Sequence, residues 1–335
     1  MKRNKKHLLR NMVALLACMS FASCSQDELT EEGRPLPVGQ YPLELVAGGL
    51  QAVATPAQTA TRGTMDGDWD GVTSVTVWVN DKWGKKYNVE ASGAKKTARL
   101  TPASPLGNDD KFFWWTSVTE QKIVMATNAG LYRDIYLPTE WTEKDFDQFD
   151  VIAARRTISF EEDKYLEFKH LMTKVVINLR ETEYLKKAKD VKVQLMNMLD
   201  GGRLDFDSKQ TYIDGTHTGG IISKDVNMTP YRLPAGAYED VDFGNGQREK
   251  PFASYMALAI PRNIGDTNVL QIEVDGAKYI LTTSAITSEN SVNYIAGQAT
   301  IFNVTVKESG LGVTVGNMIN WGTNGATGSG EMELP

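Results

Sequence analysis

Beyond residue 70, apolar and polar residues alternate with a period of two along much of the chain. Val75, Val77 and Val79 alternate with Thr76, Trp78 and Asn80, the pattern of a strand with one face turned to a core. Similar short runs follow at 111–116 (KFFWWT), 122–127 (KIVMAT), 191–195 (VKVQL), 254–260 (SYMALAI), 269–274 (VLQIEV), 277–282 (AKYILT) and 300–307 (TIFNVTVK). A longer run, 166–179, places Val175, Ile177 and Leu179 on one face. Asp275-Gly276, between two alternating runs, predicts a tight hairpin. Only 181–190 (ETEYLKKAKD) and 139–149 suit helices, and both are short.

Many short strands at regular spacing predict an all-β protein made of β-sandwiches. The stretch from 63 to 335 is long for one sandwich, so two domains are expected, 63–163 and 164–335. Ahead of them stands one isolated strand pattern, 41–50 (YPLELVAGGL), with Leu43, Leu45 and Ala47 on one face. Polar, Pro- and Gly-containing residues 25–40 read as a tether, and 51–64 return to small and polar types. A lone strand between loose segments has nothing local to pair with. It must lie in a groove of the body or wait for another chain.

The first residues change how the rest is read. Residues 2–10 (KRNKKHLLR) hold five cations and no acid, and an apolar run from Met12 to Met19 follows. That run is too short to span a bilayer and has the layout of a secretory signal. Ala22-Ser23 before Cys24 looks like the cutting site of a bacterial lipoprotein, which predicts a leader over 1–23 and lipid on Cys24. An ordinary signal peptide cut near Ala22 is the competing reading. Ser25-Gln26-Asp27-Glu28 resembles the acidic signals that send lipoproteins to the cell surface. The chain has two cysteines, Cys18 and Cys24. Loss of the leader and acylation of Cys24 leave no thiol, so packing and sheet hydrogen bonds must hold the exported protein together.

Composition excludes several functions. The 335 residues carry a net charge of −6, with no long basic run after the leader, which argues against nucleic-acid binding. Two cysteines and three histidines exclude a Cys-rich zinc module. Asp66-Gly67-Asp68-Trp69-Asp70-Gly71 opens like a calcium loop, but its twelfth position is Val77 rather than a bidentate Glu, so an acidic turn is expected. His170 and His217 lack a G-x-S-x-G partner, and Glu161-Glu162 read as surface acids. No catalytic residue, metal or cofactor is expected. Phe112-Phe113-Trp114-Trp115, with Trp69, Trp78 and Trp83, supply the alternative function, a glycan-binding surface lipoprotein. Arg62, within Thr59-Ala60-Thr61-Arg62-Gly63, lies in a small-residue loop that could extend into the active site of a trypsin-like protease, although composition alone reads it as an ordinary surface arginine.

Several of these features together resemble the fimbrillin family, the subunits of type V pili. The lipoprotein start, the lone strand Pro42-Leu43-Glu44-Leu45 and the 59–63 segment are followed by Trp69 and Val75-Thr76-Val77. Phe168-Lys169-His170-Leu171-Met172-Thr173-Lys174 is similar to the F-x-H-x-x-x-K strand in the middle of the family's sequences, and Tyr294-Ile295-Ala296-Gly297-Gln298 with Ile319-Asn320-Trp321 to its closing segment. The resemblance implies two transthyretin-like sandwiches with Greek-key topology. It implies a lipid-anchored, surface-exposed precursor at the outer membrane, which an Arg-specific protease cuts between Arg62 and Gly63. Residues 24–62 would leave as a propeptide, and Leu43, Leu45 and Ala47 would vacate a groove. A strand from another pilus subunit would fill it, and the C-terminal Met332 and Leu334 are the candidate donor side chains. The partners implied are further subunits, the protease and the membrane.

Overall fold

The computed structural model describes residues 35–37, 39–50, 64, 67–103, 112–206, 211–215, 217–218, 221–237, 240–286 and 292–320. They form an all-β protein. Its first strands are β1 (Leu45–Gly48), β2 (Ser74–Val79), β3 (Lys85–Ala91), β4 (Ala98–Pro102), β5 (Gln121–Thr127) and β6 (Asp134–Tyr136). There follow β7 (Ile152–Ser159), β8 (Tyr165–Glu167), β9 (Lys169–His170), β10 (Thr173–Arg180), β11 (Val191–Leu199) and β12 (Gly201–Phe206). Eight of them build one sheet in the order β8, β1, β4, β3, β2, β5, β7, β9.

The period-two pattern explains this sheet. Val75, Val77 and Val79 of β2 point into an apolar cluster with Tyr87, Leu100, Val124 and Ile158. The opposite face of β2 is also covered. Trp78 is buried there against Phe206 of β12, ring centroids 5.8 Å apart, and the Arg133 guanidinium lies over both rings.

A second apolar cluster lies between two further sheets. One has five strands in the order Tyr231–Arg232, Pro251–Ala259, β10, Gln298–Lys307, Gly310–Asn320. The other runs Asp225–Met228, β11, Asn268–Val274, Ala277–Thr282. Strand β10 is central, antiparallel to Pro251–Ala259 and parallel to Gln298–Lys307, and is buried from Thr173 to Leu179. Its one buried amide is satisfied across the sheet: Asn178 donates to Asn303 at 2.8 Å and accepts from Ser254 at 2.7 Å. Asp275 and Gly276 both adopt positive φ, as the predicted hairpin requires. The two clusters interleave along the sequence. Ile135, Trp141, Phe146 and Val151 belong to the second, whereas Leu166 and Phe168, later in the chain, belong to the first.

Three expected elements differ. Residues 112–116 are not a strand: Trp114 makes only an isolated bridge to Pro42, flanked by the Leu43 amide on the Phe113 carbonyl and the Trp115 amide on the Tyr41 carbonyl. The 166–179 run breaks into β8, β9 and β10 because the backbone crosses there from one sheet to the other, with the Leu171 amide bonded to the Val151 carbonyl. The helices shrink to α1 (Asp145–Phe149) and α2 (Glu183–Lys187), the latter capped by the Thr182 hydroxyl on the Leu185 amide.

Candidate functional site

The isolated strand lies inside the eight-stranded sheet rather than at its edge. Strand β1 pairs antiparallel with β4, Leu45 opposite Leu100 and Ala47 opposite Ala98. On its other side it pairs parallel with β8, Val46 opposite Tyr165 and Gly48 opposite Glu167. The residues before it are held as well. The Leu43 amide donates to the Phe113 carbonyl at 2.7 Å, the Trp115 amide to Tyr41 at 2.9 Å, and the Leu36 amide to Thr116 at 2.9 Å. Leu36 is buried and Pro35 bridges Ser117, so this part of the expected tether lies against the body.

Alternation decides which side chains enter. Leu43, Leu45 and Ala47 are 0%, 1% and 0% exposed and share the first cluster with Leu100, Trp115, Leu166 and Phe168. Val46 faces outward at 40% exposure. Each buried leucine is worth about 1.5–3 kcal/mol relative to exposure in water. Removal of the segment would uncover this apolar lining and the pairing groups of β4 and β8 together, which leaves a strand-shaped vacancy.

The outward face carries a charge marker. Arg99 on β4 donates to the Glu44 carboxylate at 2.6 Å, and that bond, with the nearby acid charge, holds the guanidinium above its ordinary value. The strand ends against Tyr165: a Cβ added to Gly48 would run into the Tyr165 ring and its hydroxyl. Gly49 turns the backbone away with a φ of +81°.

Arg62 and Gly63 lie outside the described residues, as do Cys24, Met332, Leu334 and Trp321. Thr64, two positions after Arg62, is buried and donates to Asp150 at 2.5 Å. Asp150 is fully buried at the seam of the two clusters and lies 3.0 Å from His170 Nδ1. Phe168, His170 and Lys174 of the mid-sequence motif are thus core residues, 0%, 5% and 2% exposed. Gly297 of the closing segment packs on them, its amide donating to the Met172 carbonyl. Sequence reasoning did not find Thr64 or Asp150, since neither belongs to a recognisable pattern.

The remaining candidates are placed differently. Trp69, Trp78, Phe113 and Trp115 are buried, so the aromatic set does not form one platform; Trp83 alone of the named tryptophans is strongly exposed, edge-on to Tyr132. In the acidic turn, Asp68 accepts from the Asp70 amide and Asp70 pairs with Lys95 at 2.6 Å, while Trp69 fills the core against Phe168. Among the described residues no three His, Cys, Asp or Glu side chains gather as a metal site would require.

A family model described as Fimbrillin-like matches residues 61–321. The chain belongs to the fimbrillin-like family. No curated protein matches this fimbrillin-like chain. Among solved structures it is similar to a Bacteroides ovatus protein proposed to act in cell adhesion, with 15% identity and a TM-score of 0.53 over 85% of this chain and 99% of that one. A Bacteroides uniformis protein with the same proposed role gives 12% identity and a TM-score of 0.53 over 85% and 100% of the two chains. At such identity the likeness is one of fold.

Proposed function

We propose that this fimbrillin-like chain is a structural subunit of a type V pilus that serves adhesion. It is exported as a lipoprotein held at the outer membrane through Cys24, cut between Arg62 and Gly63 by an Arg-specific protease, and polymerised by strand exchange. Residues 24–62 form the removable part, and the body comprises the sandwich regions 63–163 and 164–335. The observation that carries the reading is the burial of Leu43, Leu45 and Ala47 within the sheet, upstream of Arg62. A strand paired on both sides but covalently attached only through residues 51–63 is separable by one cut. Family membership supports the pilus role, and pairing by an added strand supplies the physics: main-chain bonds give affinity and alternate side chains fill pockets. Such a contact joins different surfaces of two copies, so it builds a fibre. No enzymatic step is assigned to the chain.

The test is limited trypsin digestion of the purified precursor. The expected result is loss of the segment ending at Arg62, a stable body, and polymers visible by size-exclusion chromatography and electron microscopy. A body digested throughout, or trimmed without assembly, overturns the proposal.

A further inference from the structure

We propose that Arg99 reads the strand that fills the vacated slot, and that Glu333 of a second copy takes the place of Glu44 in front of it. This rests on the strand-exchange reading and adds its register. The slot sets distinct demands along its length. It takes long apolar side chains where Leu43 and Leu45 are buried, an acid between them where Glu44 meets Arg99 at 2.6 Å, and a small residue where Ala47 is fully enclosed.

An apolar–Glu–apolar triplet occurs at five places in the sequence: 43–45, 89–91, 166–168, 272–274 and 332–334. The triplets at 89–91, 166–168 and 272–274 lie in or against sheets of the body. Met332-Glu333-Leu334 therefore remains as the partner for a slot vacated by Leu43-Glu44-Leu45. Laid on those positions, Met332 enters the Leu43 site, where the main-chain amide bonds the Phe113 carbonyl, and Leu334 enters the Leu45 site opposite Leu100. A shift of two residues one way would drive Leu334 into the closed Ala47 site, an overpacking that the sheet resists, and a shift of two the other way would leave the fully buried Leu45 site empty. Inward packing thus fixes the register, and that register places Glu333 at Arg99. Pro335 falls on Val46, whose amide bonds the Lys164 carbonyl. Proline has no N–H to replace that bond, so the incoming strand is held through β4 and Phe113 more than through β8.

A double-mutant cycle in the full-length protein tests this, with Arg99→Gln, Glu333→Gln and both together, none of which adds a trypsin site. Each precursor is first melted to confirm folding, then trimmed, and its polymerisation is followed by light scattering. An exposed ion pair that forms across the junction makes each single change slow assembly about threefold, with the double no slower than either single. Leu334→Asp abolishes assembly outright. Effects that multiply in the double variant, or no effect of either neutralisation while Leu334→Asp still blocks assembly, overturn the Arg99–Glu333 register and leave strand exchange standing. Assembly that continues in Leu334→Asp overturns the donor assignment. Failure of the unaltered trimmed protein to polymerise overturns both readings.

Discussion

The Thr64 hydroxyl donates to the buried Asp150 carboxylate at 2.5 Å, two residues beyond Arg62. Asp150 in turn lies against His170, and its carbonyl accepts from the Asn128 side chain at 2.8 Å. The first described residue after the expected cut is therefore tied to the seam between the two apolar clusters. Trimming would end the polypeptide close to a fixed point rather than in a frayed tail.

Thr64→Val tests this tie. It leaves a buried carboxylate short of a donor and is expected to lower unfolding free energy by about 1–3 kcal/mol. The loss is expected in both the full and the trimmed protein, because Thr64 lies downstream of Arg62. Urea denaturation of the two forms checks it. A loss confined to the full-length form would show that the bond belongs to the removable part.

Leu45→Ala makes the complementary case. Leu45 is 1% exposed among Leu100, Leu166 and Phe168. Its truncation is expected to cost about 2–5 kcal/mol in the precursor, the transfer term plus the cavity left behind. After trimming the variant and the parent have the same sequence, and their unfolding curves are expected to coincide. The same experiment shows how much stability the slot draws from its occupant.

Gly48→Val is expected to destabilise the precursor by about 1–3 kcal/mol, since the space above Gly48 is filled by the Tyr165 ring. Tyr165→Ala alone removes that cover, and the pair together is expected to lose less than the sum of the two. Thermal melts of the four proteins give the coupling. Additive losses would show that the ring does not bear on Gly48.

The sequence made the inward faces legible because burial and period coincide there. Leu43, Leu45 and Ala47, and likewise Val75, Val77 and Val79, point where alternation places them. Asp275-Gly276 was legible because its turn needs two positive φ angles. Less was visible where long-range partners decide. Strand β3 (KKYNVEA) shows little apolar alternation, since Tyr87 is its one fully buried residue and the rest meet neighbouring strands or water. The Phe112–Trp115 aromatics look like a strand in isolation, but their place is set by residues 35–43, some seventy positions earlier. No local pattern announces that β1 enters between β4 and β8, because its antiparallel and parallel neighbours both lie far along the sequence.

Acid is expected to loosen the segment that holds residues 35–41. Burial alone would raise the Glu120 carboxyl, but the Lys122 ammonium and the Thr116 amide and hydroxyl outweigh it and hold the group below its ordinary value. Thr116 in turn accepts from the Leu36 amide, and the adjacent Trp115 donates to Tyr41. The folded value is depressed relative to the unfolded one, so this contribution is present above the unfolded carboxyl value near about 4.3 and is lost as pH falls through the folded value. Glu120→Gln removes the titration, although its amide still fills the site. The variant is expected to melt below the parent at pH 7, and the gap is expected to close on acidification as the parent's carboxylate takes up its proton. Calorimetric melts of both precursors from pH 7 down to about 3 check this, bounded by the ordinary carboxylate range. A gap that stays constant with pH would mean that Glu120 acts through shape and hydrogen bonding alone, with no part played by its charge.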